Sequence, residues 1–177
     1  MLFFVIIVLV IKAVVLALIA KKRGVTMDIK DYWNSFIEKN PTYKNCSYSS
    51  WAFGVDADAL ALLVVNGIKT ATASLFDLYE LENEALPQEG QISIILDAEE
   101  TKPVCIIQTT KVTVSPFKMV DEKHACKEGE GDRSLSFWRK VHKDFFSECL
   151  ENTALSFTDD SLVVLEEFQV IYPSSDV

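Results

Sequence analysis

The run Gly67-Ile68-Lys69-Thr70-Ala71-Thr72-Ala73-Ser74 places one amine and three hydroxyls in six consecutive residues, 69 to 74. A lysine supplies a cation, or a base where burial depresses its pKa. A threonine hydroxyl is a weak nucleophile until a neighbouring base takes its proton. Spacing alone does not unite these groups. In an extended chain Thr70, Thr72 and Ser74 share one face, while Lys69 and Ala71 point the other way unless the corner twists them together. Taken by itself, the run reads as a solvated lysine after a helix, followed by strand-forming threonines.

The elements that must position this corner follow from periodicity and caps. Gly67 comes after the periodic residues Leu60, Leu63 and Val64 and fits a left-handed helix C-cap, where a Cβ is penalised. Asp56 is the expected N-cap of that helix. Ile29, Trp33, Phe36 and Ile37 form one face of an earlier helix that ends at Asn40-Pro41. Residues 42–54 read as a polar loop with an aromatic end at Trp51 and Phe53. Phe76 to Glu84 has no clear type. Pro87-Gln88-Glu89-Gly90 is a turn, residues 91–97 and 103–114 are strands, and 98–102 is a polar hairpin connection. Asp121 to Glu128 reads as a short helix and Gly129 to Ser134 as a loop. Ser134 caps a helix through Leu150, and Leu162–Leu165 with Phe168–Tyr172 gives a final strand. About four strands interleaved with helices too irregularly for a doubly wound sheet predict an α+β domain around a small mixed sheet or β-barrel, with flanking helices.

Composition narrows the partners. The 177 residues suffice for one domain plus a short appendage, and Lys+Arg 17 against Asp+Glu 26 gives a net charge of −9. Residues 1–27 hold Lys12, Lys21, Lys22, Arg23 and no acid, leaving 13 against 26 in the remainder. So acidic a domain is a poor non-specific nucleic-acid binder. Its one basic concentration is Lys123, Lys127, Arg133, Arg139, Lys140 and Lys143, which reads either as a phosphate dock or as a solvated helix face. Cys46, Cys105, Cys126 and Cys149 have no zinc-ligand spacing and read as reduced thiols of a cytosolic protein. With only His124 and His142 present, no metal or cofactor site is expected. Both histidines read as structural or surface residues.

Residues 1–26 form a separate segment. Met1 to Ala20 is apolar except for Lys12, long enough as a helix to span a bilayer, and is followed by Lys21-Lys22-Arg23. Charge after the apolar run disfavours a secretory signal and leaves the domain facing the cytoplasm, so one expectation is a membrane anchor through residues 1–20. The other is that Met27 is the native start and the preceding residues are upstream sequence.

Trp51-Ala52-Phe53-Gly54, the Gly67-Ile68-Lys69-Thr70-Ala71-Thr72 corner, Pro87 to Gly90, Pro103 to Ile107 and Glu128-Gly129-Glu130-Gly131-Asp132-Arg133-Ser134 together resemble the ASCH (activating-signal-cointegrator homology) domain, in its larger bacterial branch. The resemblance covers roughly Tyr32 to Tyr172, within a domain expected over residues 28–175. It implies a PUA-like β-barrel and a nucleoside or RNA ligand. The roles it implies are RNA binding, ribonuclease activity, or removal of the acetyl group from acetylated cytidine. That last activity belongs to a small branch whose lysine and threonine in the corner motif, and glutamate after Glu-Lys-His-Ala, match Lys69, Thr72 and Glu128 here. The implied chemistry is an amide hydrolase in which Lys69 activates Thr72. Glu128 would hold the lysine, although its negative charge opposes activation. Backbone N–H groups near Gly67 or in residues 129–131 would serve an oxyanion. Trp51, Phe53, Gly67, Thr70, Asp132, Arg133 and Ser134 are the implied substrate contacts. The alternatives are a non-catalytic RNA-binding module and a ribonuclease drawing on Arg133 and Ser134. Neither the substrate nor the oligomeric state is legible in the sequence.

Overall fold

The computed structural model describes residues 27–173. The expectations for residues 1–26 lie outside the described residues, and among those described no helix is long and apolar enough to cross a membrane. In chain order the elements are α1 (Ile29–Lys39), β1 (Ser49–Trp51), α2 (Ala57–Val65), β2 (Ala71–Leu75), α3 (Phe76–Leu81), β3 (Ile92–Leu96), β4 (Pro103–Pro116), α4 (Glu122–Glu128), α5 (Leu135–Cys149) and β5 (Leu162–Pro173).

The five strands form one mixed sheet in the order β1-β3-β4-β5-β2, parallel only at β1–β3. The expected α+β class is present, and the expected barrel is a curled half-barrel. Its two edge strands, β1 and β2, face each other across a cavity instead of pairing. Register shifts in the β4–β5 ladder at Ile106/Ile107 and Thr109/Lys111 mark where those long strands bend, since a bulge adds local twist. Two stretches differ from the sequence reading. The loop over 42–54 contains β1, which is only three residues long and two of them serine. Phe76–Leu81, of no clear type in the sequence, is helical. The two final apolar runs form the one strand expected of them.

Alternation along the strands sorts the core. Ile92, Ile94, Leu96 and Ile106 pack against Tyr32, Trp33 and Phe36 of α1. Ile95, Cys105, Ile107 and Phe168 pack against Ala57, Ala61 and Val64 of α2. β3 is therefore buried on both faces, at all five positions. A third cluster joins Leu75 and Val163 to Ala125 of α4 and to Trp138, Phe146 and Leu150 of α5. This third cluster fixes α4 and α5 against β2, beside the corner that carries Lys69.

The caps hold the ends of these elements. Ile68 N–H donates to the Leu63 carbonyl and Gly67 N–H to that of Val64, the paired bonds of a Schellman motif, with Gly67 at φ +68°. The Asp121 carboxylate accepts from His124 N–H, and Ser134 Oγ from Phe137 N–H. Asp56 precedes α2 as expected, but its own backbone is left-handed at φ 48° and its side chain makes no capping bond. Gly129 ends α4 at φ +76°, where a Cβ would lie 2.6 Å from the Ile68 carbonyl oxygen. At Gly67 a Cβ meets nothing within 4 Å.

These two glycines separate a conformational cost from a steric one. Gly67→Ala should lose about 1–2 kcal/mol, the left-handed penalty alone. Gly129→Ala should lose clearly more, because the corner must move away from α4. Urea unfolding of both variants, with unchanged m-values, measures the difference.

Candidate functional site

The corner after α2 is joined to the end of α4 by main-chain contacts. Thr70 N–H donates to the Lys127 carbonyl at 2.7 Å, and Gly129 lies directly on Ile68. Lys69 is thereby carried into the interior, where its side chain is 1% exposed. Its ammonium donates to Glu128 Oε2 at 2.9 Å and to Glu130 Oε1 at 2.7 Å, and sits 5.3 Å from the Phe53 ring centroid.

Glu128 is equally buried and takes donors on both oxygens. Oε1 accepts from the Trp138 indole N–H at 2.7 Å and from His124 Nε2 at 3.1 Å. His142 Nε2 lies 3.5 Å from Oε2, and its Nδ1 donates to the Trp138 carbonyl at 3.0 Å. The His142 ring stacks on Trp138 with centroids 4.2 Å apart. Burial alone would raise the Glu128 carboxyl, but the Lys69 charge and the bonds from His124 and His142 outweigh it and hold the group well below the usual carboxylate range. Both histidines, read from the sequence as structural or surface residues, are buried and support this carboxylate.

Lys69 Nζ is engaged by two carboxylates and makes no bond to Thr72, so the geometry presents it as a donor and not as the group placed to take the Thr72 proton. Thr72 stands apart from the network. Its antiparallel partner on β5 is Glu166, so its side chain shares a face with Ser74 and Glu166, away from the Ala73 and Leu75 face that packs on α5. The Thr72 hydroxyl makes no side-chain hydrogen bond among the described residues, and no unsatisfied side-chain N or O there is buried, so this hydroxyl is open to solvent.

Two cavities meet at Thr72. The smaller, of about 80 Å³, is bordered by Lys69, Thr72, Glu128, Glu130, His142 and Phe53. The larger, of about 440 Å³, opens between β1 and β2 and is bordered by Trp51, Phe53, Thr72, Ser74, Tyr79 and Glu166. In the larger one Ser74 Oγ and the Tyr79 hydroxyl are hydrogen-bonded at 2.8 Å. Burial raises the Glu166 carboxyl above its ordinary value, against one bond from Thr109 at 3.3 Å that lowers it.

The other implied contacts lie elsewhere. Thr70 Oγ1 is turned to the Lys127 carbonyl, and Gly67 N–H is occupied by the Val64 carbonyl, which removes it as an oxyanion donor. Asp132 and Ser134 cap the start of α5, and Arg133, exposed at φ 60°, borders neither cavity. Much of the basic cluster is engaged locally. Lys127 pairs with Glu167, Lys143 lies 3.5 Å from Asp159, and Arg139 donates to the carbonyls of Lys118 and Val120. All four cysteines are free, and burial pushes the Cys105 thiol up to about 12. Among the described residues no cluster of His, Cys, Asp and Glu is arranged to hold a metal ion.

Sequence reasoning missed Glu130, Trp138, His142 and Glu166. The i,i+4 spacing of His124 with Glu128, and of Trp138 with His142, was the available signal for four members of the network, two of them missed. Nothing local marked Glu166.

The ASCH domain family model matches residues 49–172. The chain belongs to the ASCH family. An ASCH domain from Lactobacillus crispatus JV V101 is 34% identical with a TM-score of 0.73, over 79% of this chain and 91% of that one. A protein from Enterococcus faecalis V583 is 36% identical with a TM-score of 0.75, over 84% of this chain and 90% of that one. Comparison with curated proteins gives no match. The curled sheet with flanking helices is thus the ASCH, PUA-like fold.

The Lys69–Glu128 pair makes two measurable demands. Removing one partner strands the other charge, so Lys69→Met should cost about 3–5 kcal/mol, and Lys69→Met/Glu128→Leu less than the sum of the single variants. Since the folded Glu128 carboxyl lies below its unfolded value of about 4.3, its contribution is fully present at neutral pH and is lost as pH falls through the folded value. Urea midpoints between pH 7 and pH 3 should fall less steeply for Glu128→Gln than for the unsubstituted chain.

Proposed function

We propose that this ASCH domain is a hydrolase acting on an amide of a modified nucleoside of the acetylated-cytidine type, free or at an RNA end. The observation that carries the reading is that Lys69, Thr72 and Glu128 border one small cavity, while Thr72 also borders a larger one of ligand size. The nucleoside occupies the larger cavity, where Trp51 offers a face for stacking. Its acyl group reaches the smaller cavity, beside Lys69.

The roles follow from the bonding of each group. Thr72 Oγ1 is the nucleophile, unpartnered and open. Lys69 uses two of its three N–H donors on carboxylates and has one left to polarise the acyl oxygen. Glu128 fixes the ammonium, and the histidines and Trp138 fix Glu128. The acidic surface and the local pairing of Lys127, Lys143 and Arg139 favour a small ligand over a long polyanion.

Incubating the full-length chain with acetylated cytidine should release cytidine and acetate, resolved by liquid chromatography. Thr72→Val should lower turnover by about 10³-fold or more, and Thr72→Ser should keep a measurable part. A chain that leaves acetylated cytidine intact over a day at high enzyme concentration rules out the amide-hydrolase reading.

A further inference from the structure

The amide-hydrolase reading leaves one chemical role unfilled, because a threonine nucleophile needs a base and Lys69 Nζ is bonded to two carboxylates and not to Thr72. The large cavity is bordered by a carboxylate that pairs with no cation among the described residues. Glu166 lies on β5 in direct register with Thr72 on β2, and cross-strand partners project from the same face with Cβ atoms about 4.5–5.5 Å apart. Both residues border the 440 Å³ cavity. Among the described residues Glu166 has no cationic partner, and its one hydrogen bond is from Thr109 to Oε2. Its Oε1 therefore has no partner, and since no unsatisfied side-chain oxygen among the described residues is buried, that oxygen is accessible, on a residue that borders the cavity. The other titratable groups on the cavity wall are Tyr79 and Glu84, neither of them cationic. A half-buried carboxylate without a counter-charge opposes folding. Its position directly opposite the unpartnered Thr72 hydroxyl gives it a chemical use.

We propose that Glu166 is the proton-transfer residue for chemistry at Thr72, an inference that rests on Thr72 being the nucleophile but not on the identity of the substrate. Glu166 takes the Oγ1 proton, directly or through one water, as Oγ1 bonds to the acyl carbon. The protonated carboxyl then gives that proton to the nitrogen of the leaving amine as the C–N bond breaks. In the second half a water molecule loses its proton to Glu166 and attacks the acyl-threonine. The ester C–O bond breaks, the carboxylic acid leaves, and Oγ1 recovers the proton from Glu166. Burial that raises the carboxyl makes it a better proton acceptor than an ordinary glutamate.

The test uses the full-length chain and 4-nitrophenyl acetate, whose leaving group needs no proton and which depends on no nucleoside pocket. The proposal expects acetyl transfer to Thr72, located by peptide mass spectrometry and timed by nitrophenolate release. The rate should rise through a single carboxyl ionisation above the ordinary glutamate value of about 4.3. Glu166→Gln should slow acetylation by about 10²–10⁴-fold and remove that limb, and Glu166→Asp should restore part of it. Should Glu166→Gln not fold, the pH profile of the unsubstituted chain decides: a rate without the raised carboxyl limb overturns the proposal. So does an unacetylated Thr72, or a Glu166→Gln variant that reacts at the unsubstituted rate. Acetylation of Thr72 that depends on Glu166, in a chain inert to acetylated cytidine, supports Glu166 and refutes only the substrate. Hydrolysis of acetylated cytidine by Glu166→Gln at the full rate does the reverse.

Discussion

A lysine and a glutamate each with about 1% of the side chain exposed carry a large desolvation cost, which is offset only by close contact and by satisfying every remaining lone pair and proton. Much of this domain is arranged to meet that requirement. The Schellman turn at Gly67 reverses the chain so that Lys69 enters the interior. The bond from Thr70 to Lys127, and the bare backbone at Gly129, bring the corner within reach of Glu128. Trp138 and both histidines come from α4 and α5, so the ion pair also fixes how those helices seat on β2. Replacing any of these residues changes the solvation of a charge, not only a packing contact.

The same requirement shapes the cleft. Because Lys69 gives two of its three donors to Glu128 and Glu130, the reactive potential of the corner moves three residues onward, to the Thr72 hydroxyl at the edge of the same small cavity. Thr72 belongs by chain position to the Lys69 corner and by register to β5. It is the hinge between a polar cavity organised by charge and a larger cavity organised by aromatic and hydroxyl groups. The half-barrel stays open at this point, since pairing β1 with β2 would fill the larger cavity with backbone.

Sequence and structure agree most closely where a local rule has one solution. Gly67 after an apolar helix and Ser134 before Phe137 are caps legible from residue types, and each is found as read, whereas Asp56 makes no capping bond and Asp121, read only as part of a helix, caps it. Lys69 and Glu128 were paired in the sequence through family resemblance, and they meet. Features set by long-range register were not legible. β1 is too short and too rich in serine to show alternation, and it exists because β3 lies beside it. Glu166 is one of two adjacent glutamates between apolar runs, which in the sequence look like an ordinary solvated part of a strand. Only pairing with Thr72, 94 positions away in the chain, gives it a place in the site. Asp132 and Arg133 illustrate the converse, since a motif rich in charge turned out to cap a helix and lie on the surface.

The two lips of the cleft are tethered unequally. β2 is laced to β5 through five register pairs and tied besides to α4, whereas β1 is held to β3 by three, in the only parallel ladder of the sheet. Parallel pairing is slightly weaker per residue, and a three-rung ladder has little cooperativity with which to resist fraying. The Trp51 lip is therefore the more lightly held side of the mouth, while Thr72 and Glu166 sit on the side with the longer ladder and the added tie to α4.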